Sequence, residues 1–175
     1  EGNSTQLEKS GFFFPESTSY VIIRDCYNRC NIYSSQYCGG FMGYNTTHTN
    51  ISNSYNAGNI NSNHCGGFIA TTGNAGDVVI RNSYNNGHIE GGDCAGFCAQ
   101  IVDHNNEPNI KFYNCYNTGN IKTETGSAFF RMNYGDLSSY TSYIVFKNIY
   151  NIGAIPKEPY YSEFSNQESD CTNCY

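Results

Sequence analysis

Residues 55–68 read Tyr-Asn-Ala-Gly-Asn-Ile-Asn-Ser-Asn-His-Cys-Gly-Gly-Phe and contain two short blocks that decide the fold. The first block, Tyr-Asn-x-Gly-x-Ile, ends at Ile60, and the second, Cys-Gly-Gly-Phe, begins ten residues after Tyr55. Asn and Gly are turn residues, whereas Tyr, Ile and Phe favour strands. The stretch therefore predicts short β-strands joined by tight turns.

The first block occurs five times along the 175 residues, with Tyr-to-Tyr spacings of 28, 29, 32 and 34. Most copies follow a run rich in β-branched and aromatic residues, such as residues 78–82, which is typical of a strand. One copy departs from the pattern, because Cys30 stands where the others have Gly. The five copies begin at Tyr27, Tyr55, Tyr84, Tyr116 and Tyr150.

The second block follows every copy of the first and always ends in Phe. Its fixed distance from the Tyr makes the two blocks one unit of about 30 residues. Nearly all variation in length falls between this Phe and the next strand, which predicts a loop of variable length there. The five blocks end at Phe41, Phe68, Phe97, Phe129 and Phe164.

The unit is too short to bury a face alone, so identical positions are expected to stack on the next copy. No stretch shows the i, i+3, i+4, i+7 apolar spacing of a helix. The sequence predicts an all-β fold, a β-solenoid (β-helix) of about five rungs with variable-length loops on one side. Its parts are residues 1–19, an N-terminal segment with a partial repeat; residues 20–165, the solenoid; and residues 166–175, which open a further rung.

Stacking turns each repeated position into a column of side chains, one from every rung. The Ile column and the Phe column are expected to run through the core, and the Asn column to pass amide hydrogen bonds between rungs. The glycines two residues after each Asn are expected to have positive φ, so the rung with Cys30 should bend differently. The Ile column is Ile32, Ile60, Ile89, Ile121 and Ile155, and the Asn column is Asn28, Asn56, Asn85, Asn117 and Asn151.

The Tyr column allows two directions. Pointing outward, it forms an aromatic stripe suited to sugar rings or to another subunit. Pointing inward, it is part of the core.

The two blocks, with preceding strands that end Asn-Cys-Tyr or Asn-Ser-Tyr, resemble the Gly-rich GLUG-type repeats of bacterial and protist surface proteins. The resemblance covers about residues 20–165. It implies a β-helix, surface exposure and often adhesion, and it implies no reaction. The chain departs from the family pattern in its Cys content and in having Phe where Leu or Ile is usual.

Nine cysteines and three glycosylation sequons, at Asn3, Asn45 and Asn50, favour an oxidising, extracellular or cell-surface location with N-linked glycans. Three of the cysteines share one column on successive rungs, where in-register Cα atoms about 4.8 Å apart permit a disulfide. A ladder of buried thiols is the alternative. The candidates for disulfides are Cys26, Cys30, Cys38, Cys65, Cys94, Cys98, Cys171 and Cys174.

Two pairs, Cys26 with Cys30 and Cys171 with Cys174, are close enough in sequence to bond locally if a turn separates them. Nine is an odd number, so one thiol is expected to be unpaired or bonded to another chain. Cys171 or Cys174 is the natural candidate for that interchain bond.

Composition excludes several partners. The net charge is −6, only 14% of residues are charged, and no Lys/Arg cluster exists to bind nucleic acid. The longest apolar runs fall far short of the ~20 residues of a membrane-spanning helix. No metal or cofactor is expected, because the histidines share no column and a second CxxC is absent. They are His48, His64, His88 and His104.

The two ends resemble parts of a unit. Residues 10–12, Ser-Gly-Phe, look like the end of a second block, and residues 173–175 repeat Asn-Cys-Tyr. Uncapped strand edges recruit other chains, so we expect either a fragment of a longer solenoid or a subunit of an extracellular filament that assembles head to tail. The filament is favoured.

A carbohydrate-binding surface adhesin is the alternative function. A polysaccharide-degrading β-helix enzyme is disfavoured, because Glu90 and Asp93 are the only local acidic pair and no catalytic residue is expected.

Overall fold

The computed structural model describes residues 9–17, 20–45, 48–72, 77–101, 109–131, 144–155 and 170–175, and these contain β-strands and no helix. The strands are β1 Lys9–Gly11, β2 Phe14–Ser17, β3 Val21–Arg24, β4 Tyr27–Asn28, β5 Ile32–Tyr33, β6 Tyr37–Gly39, β7 Met42–Asn45, β8 Thr49–Ser52, β9 Tyr55–Asn56, β10 Ile60–Gly66, β11 Ile69–Thr72, β12 Val78–Arg81, β13 Tyr84–Asn85, β14 Ile89–Ala95, β15 Cys98–Ile101, β16 Ile110–Asn117, β17 Ile121–Ser127, β18 Ile144–Asn151 and β19 Asp170–Cys174.

The strands form three parallel sheets, and each of the first three rungs passes through all three in turn. The Tyr sheet contains β3, β8, β12, β16, β18 and β19, together with the short strands β4, β9 and β13. The Cys sheet contains β1, β6, β10, β14 and β17, with β5 beside β10, and the Met sheet contains β2, β7, β11 and β15. The predicted all-β solenoid is confirmed. Successive rungs pair residue for residue at equivalent repeat positions, for example Tyr84 with Tyr116.

The main core is built by the Tyr sheet and the Met sheet. Its centre is the predicted Phe ladder, in which Phe41, Phe68, Phe97 and Phe129 are fully buried and stack with centroids 4.7–4.8 Å apart. Aromatic residues of the Tyr sheet pack edge-on against this ladder, as Phe112 does against Phe97 at 5.7 Å. The fifth predicted member, Phe164, lies outside the described residues.

A second, smaller core lies along the Cys sheet and contains the predicted Ile column. Ile60, Ile89 and Ile121 are buried, whereas Ile32 and Ile155, in the first and fifth rungs, are partly buried. The column shares this core with three cysteines, Cys38, Cys65 and Cys94. Thus both apolar columns run through the core as predicted, but through separate parts of it.

Partial rungs lie on both sides of the described stack. Strands β1 and β2 pair with β6 and β7 of the first rung. Phe13, and not the predicted Phe12, continues the Phe ladder, since its ring stacks on Phe41 at 5.3 Å. On the other side, β19 pairs with β18 in register, placing Cys174 beside Ile149.

The predicted positive φ at the repeat glycines is wrong. Among the described glycines only Gly91 has positive φ. The repeat glycines are instead required by close approach between rungs, because a Cβ on Gly87 would lie 2.1 Å from the carbonyl oxygen of Gly58. Left-handed φ angles of 49–54° occur at the residue two before each Tyr, which is Asn or Asp, the residue types that tolerate this conformation.

Cys30 does not bend its rung. Its turn contains the same hydrogen bond as the Gly turns: Asn28 Nδ2 donates to the Cys30 carbonyl at 3.1 Å, as Asn56 Nδ2 does to Gly58 at 2.9 Å. Cys30 is exposed and belongs to the first described copy of this turn, so no described turn approaches its Cβ from below. The side chain is therefore tolerated at this end of the column.

Replacing Gly87 with Ala is expected to lower the free energy of unfolding by about 1–3 kcal/mol, because the new Cβ would overlap backbone of the preceding rung. Replacing Cys30 with Ala at the equivalent turn position is the matched control and should change it by less than about 0.5 kcal/mol. Urea denaturation measures both. Equal effects at the two positions would show that close approach between rungs is not what selects Gly.

Candidate interaction surface

The inner Asn ladder consists of Asn28, Asn56, Asn85, Asn117 and Asn151, and it confirms the predicted amide hydrogen bonds between rungs. In each bond Nδ2 donates to Oδ1 of the following rung, at 2.7–2.8 Å. The second hydrogen of Nδ2 is donated to the carbonyl two residues later, as Asn85 does to Gly87 at 3.0 Å. The first four of these side chains are fully buried. A buried donor with both hydrogens bonded fixes the register between rungs.

An outer Asn ladder, which sequence reasoning missed, lies at the corner with left-handed φ. Its members are Asp25, Asn53, Asn82, Asn114, Asn148 and Asn173. The bonds run in the opposite direction to those of the inner ladder, because each Nδ2 donates to the oxygen of the preceding rung, at 2.9–3.2 Å. These side chains are exposed. The signal was visible as an Asn two residues before the Tyr in five of the six copies.

The Tyr column forms an outward stripe between these ladders. Tyr55, Tyr84 and Tyr116 are half-buried, with ring centroids 4.8 Å apart and planes within 4° of parallel. Tyr27 and Tyr150, which are 52% and 42% exposed, extend the stack at its two ends. The direction that the sequence left open is therefore outward.

The rings of the stripe use their faces on one another. Parallel rings 4.8 Å apart leave no space for a sugar between them, so along the middle of the stripe only ring edges and hydroxyl groups reach solvent. Flat stacking of a sugar on an aromatic face, on which the adhesin prediction relied, is thus blocked at Tyr55, Tyr84 and Tyr116. Burial against neighbours raises the pKa of Tyr84 and of Tyr116, with a smaller contribution from adjacent tyrosines.

Arg29 covers the first two rings. Its guanidinium lies 4.8 Å from the ring centroid of Tyr27, and its Nη2 donates to the hydroxyl of Tyr55 at 2.6 Å. This hydrogen bond raises the pKa of Arg29. The first rung thus offers a cation, an aromatic edge and the outer ladder on one surface.

The sequence left open whether the cysteine column forms a disulfide or a ladder of buried thiols. Cys38, Cys65 and Cys94 are in register, and the disulfide joins Cys65 to Cys94, whose Cα atoms are 4.6 Å apart. Cys38 is a fully buried thiol, and burial raises its pKa to about 12. The column therefore contains both predicted states, one bond and one buried thiol.

The local pair predicted at Cys26 and Cys30 is not formed, and both are thiols. Cys26 instead donates its Sγ–H to the Arg24 carbonyl at 3.0 Å, in the column where Ser54 and Ser83 make the equivalent bond. Cys115, which was not among the candidates, occupies the same column as a thiol, and burial raises its pKa to about 12.

The remaining candidates differ in their surroundings. Cys98 is buried in the main core. Cys174 is disulfide-bonded within the chain rather than to another chain as expected, and the side chain of Cys171 lies outside the described residues. Among the thiols of the described part, Cys30 is exposed.

The acidic pair does not form a two-carboxylate site. Glu90 is exposed and lies in register with Lys122. Asp93 forms an ion pair with the buried Arg131, and its Oδ2 lies 3.4 Å from Nδ1 of His64. This cluster, also missed from the sequence, joins the Cys sheet to the residue that follows Phe130.

Two histidines accept backbone hydrogen bonds from the following rung, outside both Asn ladders. His88 Nδ1 accepts the N–H of Asn120 at 3.1 Å, at a position where other rungs have an Asn Oδ1 acceptor, and His48 Nδ1 accepts the N–H of Asp77 at 3.0 Å. No group of three or more metal-binding side chains occurs within the described residues. His104 lies outside them.

Of the predicted glycosylation sites, Asn50 lies within β8 and is half-buried. Asn45 ends β7, but its side chain is outside the described part of the chain, as is all of Asn3. In the same described residues, no helix has the length and apolar character needed to cross a bilayer.

Comparison with known proteins gives no relative: no family model, no curated protein and no solved structure matches the chain.

Proposed function

We propose that the chain is a structural subunit of an extracellular fibre or filament, in which one copy pairs rung on rung with the next. The observation that supports this most strongly is the equivalence of successive rungs. Each binds its neighbour through in-register backbone bonds and the same Asn, Tyr and Phe columns. A rung edge that has no partner therefore presents the surface that the solenoid already uses to bind another rung.

Within the described residues, the Tyr sheet has such an edge on each side of the stack. Strand β3 pairs only with β8, and β19 pairs only with β18, among the strands that the structure describes. The stack also has β1 and β2 of a partial rung on the β3 side and the single strand β19 on the other. Contact between unlike edges is heterologous and extends without closing, which gives a filament.

The extracellular location rests on the disulfide between Cys65 and Cys94 and on the sequons. The buried thiols of Cys38 and Cys115 have raised pKa values, so they resist oxidation in such an environment.

Edge pairing is tested with Ile22→Pro. The N–H groups of Val21 and Asp25 donate to the carbonyls of His48 and Ser52 in the following rung. The N–H of Ile22 lies on the alternate side of the strand and so points to the opposite edge. Proline removes this donor without removing a bond to β8. We expect wild-type protein to form filaments in negative-stain micrographs and Ile22→Pro to remain as compact particles in sedimentation velocity.

Ile22→Ala is the matched control, because it shortens the same exposed side chain and keeps the N–H; it should assemble like wild type. Thermal unfolding checks that both variants are folded. Compact particles alone for wild-type protein across concentration, salt and pH would contradict the proposed function.

A further inference from the structure

The outer Asn ladder has one member of a different type, Asp25, in its first described rung. Each Nδ2 donates to the preceding rung, as Asn53 does to Asp25 Oδ1 at 3.1 Å and Asn173 does to Asn148 Oδ1 at 2.9 Å. Asp25 accepts from the rung above, but as a carboxylate it has no hydrogen to donate to a rung below.

A rung placed in register below β3 would therefore receive no outer-ladder hydrogen bond from Asp25. The direction of the ladder leaves each corner Asn with its Oδ1 toward the next rung, and in β19 that residue is Asn173, whose Nδ2 is already bonded to Asn148. Two oxygen acceptors, one of them charged, would then face each other. An oxygen acceptor that loses its water on binding and gains no donor opposes the association.

The inner ladder has no such obstacle at the same edge. Its bonds run toward the following rung, so Asn28 has its Oδ1, an acceptor that already receives the N–H of Cys30, on the side of a preceding rung. Of the two Asn ladders, only the outer one is blocked at β3.

Protonation of Asp25 removes the mismatch, because a carboxylic acid supplies one O–H donor. The strand packed against it, β8, has no charged residue, and Asn53 is the neighbour in the column. The other charged groups near it in the rung are Arg24 and Arg29, and Arg29 is engaged with Tyr27 and Tyr55. No ion pair of Asp25 occurs within the described residues.

We propose that Asp25 makes self-association pH dependent: β19 of one copy pairs with β3 of a second copy when the Asp25 carboxyl is protonated, and the carboxylate opposes this pairing at neutral pH. The inference rests on the proposed filament function and adds its regulation. Asp25→Asn restores the amide donor, so it should assemble without acid.

The test compares the critical concentration for assembly of wild type, Asp25→Asn and Glu90→Gln at pH 7 and pH 3.5, by pelleting and negative-stain microscopy. Glu90→Gln removes one carboxylate from an exposed site elsewhere and is the control for net charge. At pH 7 we expect Asp25→Asn to have a critical concentration at least about tenfold lower than the other two. At pH 3.5 the three should agree, because the protonated carboxyl of the wild type supplies the O–H donor. Circular dichroism verifies folding at each pH.

Equal assembly of wild type and Asp25→Asn at pH 7 would overturn the role of Asp25 and leave the filament proposal intact. The same holds if Glu90→Gln assembles as readily as Asp25→Asn. Absence of assembly by all three proteins at both pH values would contradict both proposals.

Discussion

Replacing Asn85 with Asp is expected to lower the free energy of unfolding by about 3–5 kcal/mol at pH 7, because it places an uncompensated negative charge in a buried site. Asn85 Nδ2 donates both hydrogens, one to Gly87 and one to Asn117 Oδ1, in a fully buried site. A carboxylate has the same shape but only acceptors, so it would face two oxygens at hydrogen-bond distance.

Asn82→Asp is the matched control, since Asn82 donates one ladder bond and accepts another at an exposed corner where Asp25 already occurs in another rung. We expect a loss of about 1 kcal/mol or less. Urea denaturation at several pH values measures both variants.

The pH dependence of Asn85→Asp has a definite sign. Burial raises the pKa of the new carboxyl above its unfolded value of about 3.9, so the destabilisation should grow as pH rises from about 4 and fade below it. Similar losses for the two variants, or a loss for Asn85→Asp that is independent of pH, would show that the inner ladder does not act as described.

Cysteine substitutions in the Cys column should have unequal effects. Cys65→Ser removes the central residue, and Cys38 and Cys94, two rungs apart at about 9.6 Å, are too distant to bond. The loss of a disulfide that closes 29 residues is expected to cost about 3.5 kcal/mol. Cys94→Ser instead leaves Cys38 and Cys65 in register, so the bond can form one rung lower and most of the stability should be retained.

Both variants are refolded under oxidising conditions and compared by urea denaturation, and peptide mass spectrometry without reduction identifies the bond. Cys94→Ser should contain the Cys38–Cys65 disulfide. If it lacked that bond and were as unstable as Cys65→Ser, the in-register geometry of the three cysteines would be wrong.

The fold was predictable because stacking gives equivalent residues of successive rungs the same surroundings. Five copies of Tyr-Asn-x-Gly-x-Ile define columns, and a column that recurs in every rung must have one environment. For this reason the buried Phe and Ile columns and the inner Asn ladder followed from the sequence. The position of Phe13 did not, because its partial block could be aligned on either of two neighbouring phenylalanines.

The errors in the turns have a physical cause. Gly permits positive φ and also permits close backbone approach, and sequence alone does not distinguish these two uses. In this chain Gly87 serves close approach, whereas positive φ falls on Asn and Asp, whose short polar side chains tolerate it. The outer Asn ladder consists of these positive-φ residues.

The surface was the least predictable part. The direction of the Tyr column depends on the bend two residues earlier, at Asn53 and its equivalents, and this bend appears only in the backbone. The ion pair of Asp93 with Arg131 joins a strand of the Cys sheet to a residue of the following rung that lies outside the named strands, so no local sequence pattern predicts it. Similarly, which two of three equivalent cysteines bond is not specified by their spacing.

The protection of Asn side-chain amides from hydrogen exchange, measured by nuclear magnetic resonance, tests the inner ladder most directly. The NH2 groups of Asn56, Asn85 and Asn117 donate both hydrogens in fully buried sites, and we predict that they exchange at least about 100-fold more slowly than those of the exposed outer ladder. Asn53, Asn82 and Asn114 provide the comparison. Exchange of the two sets at similar rates would contradict the claim that the inner ladder holds the rungs in register.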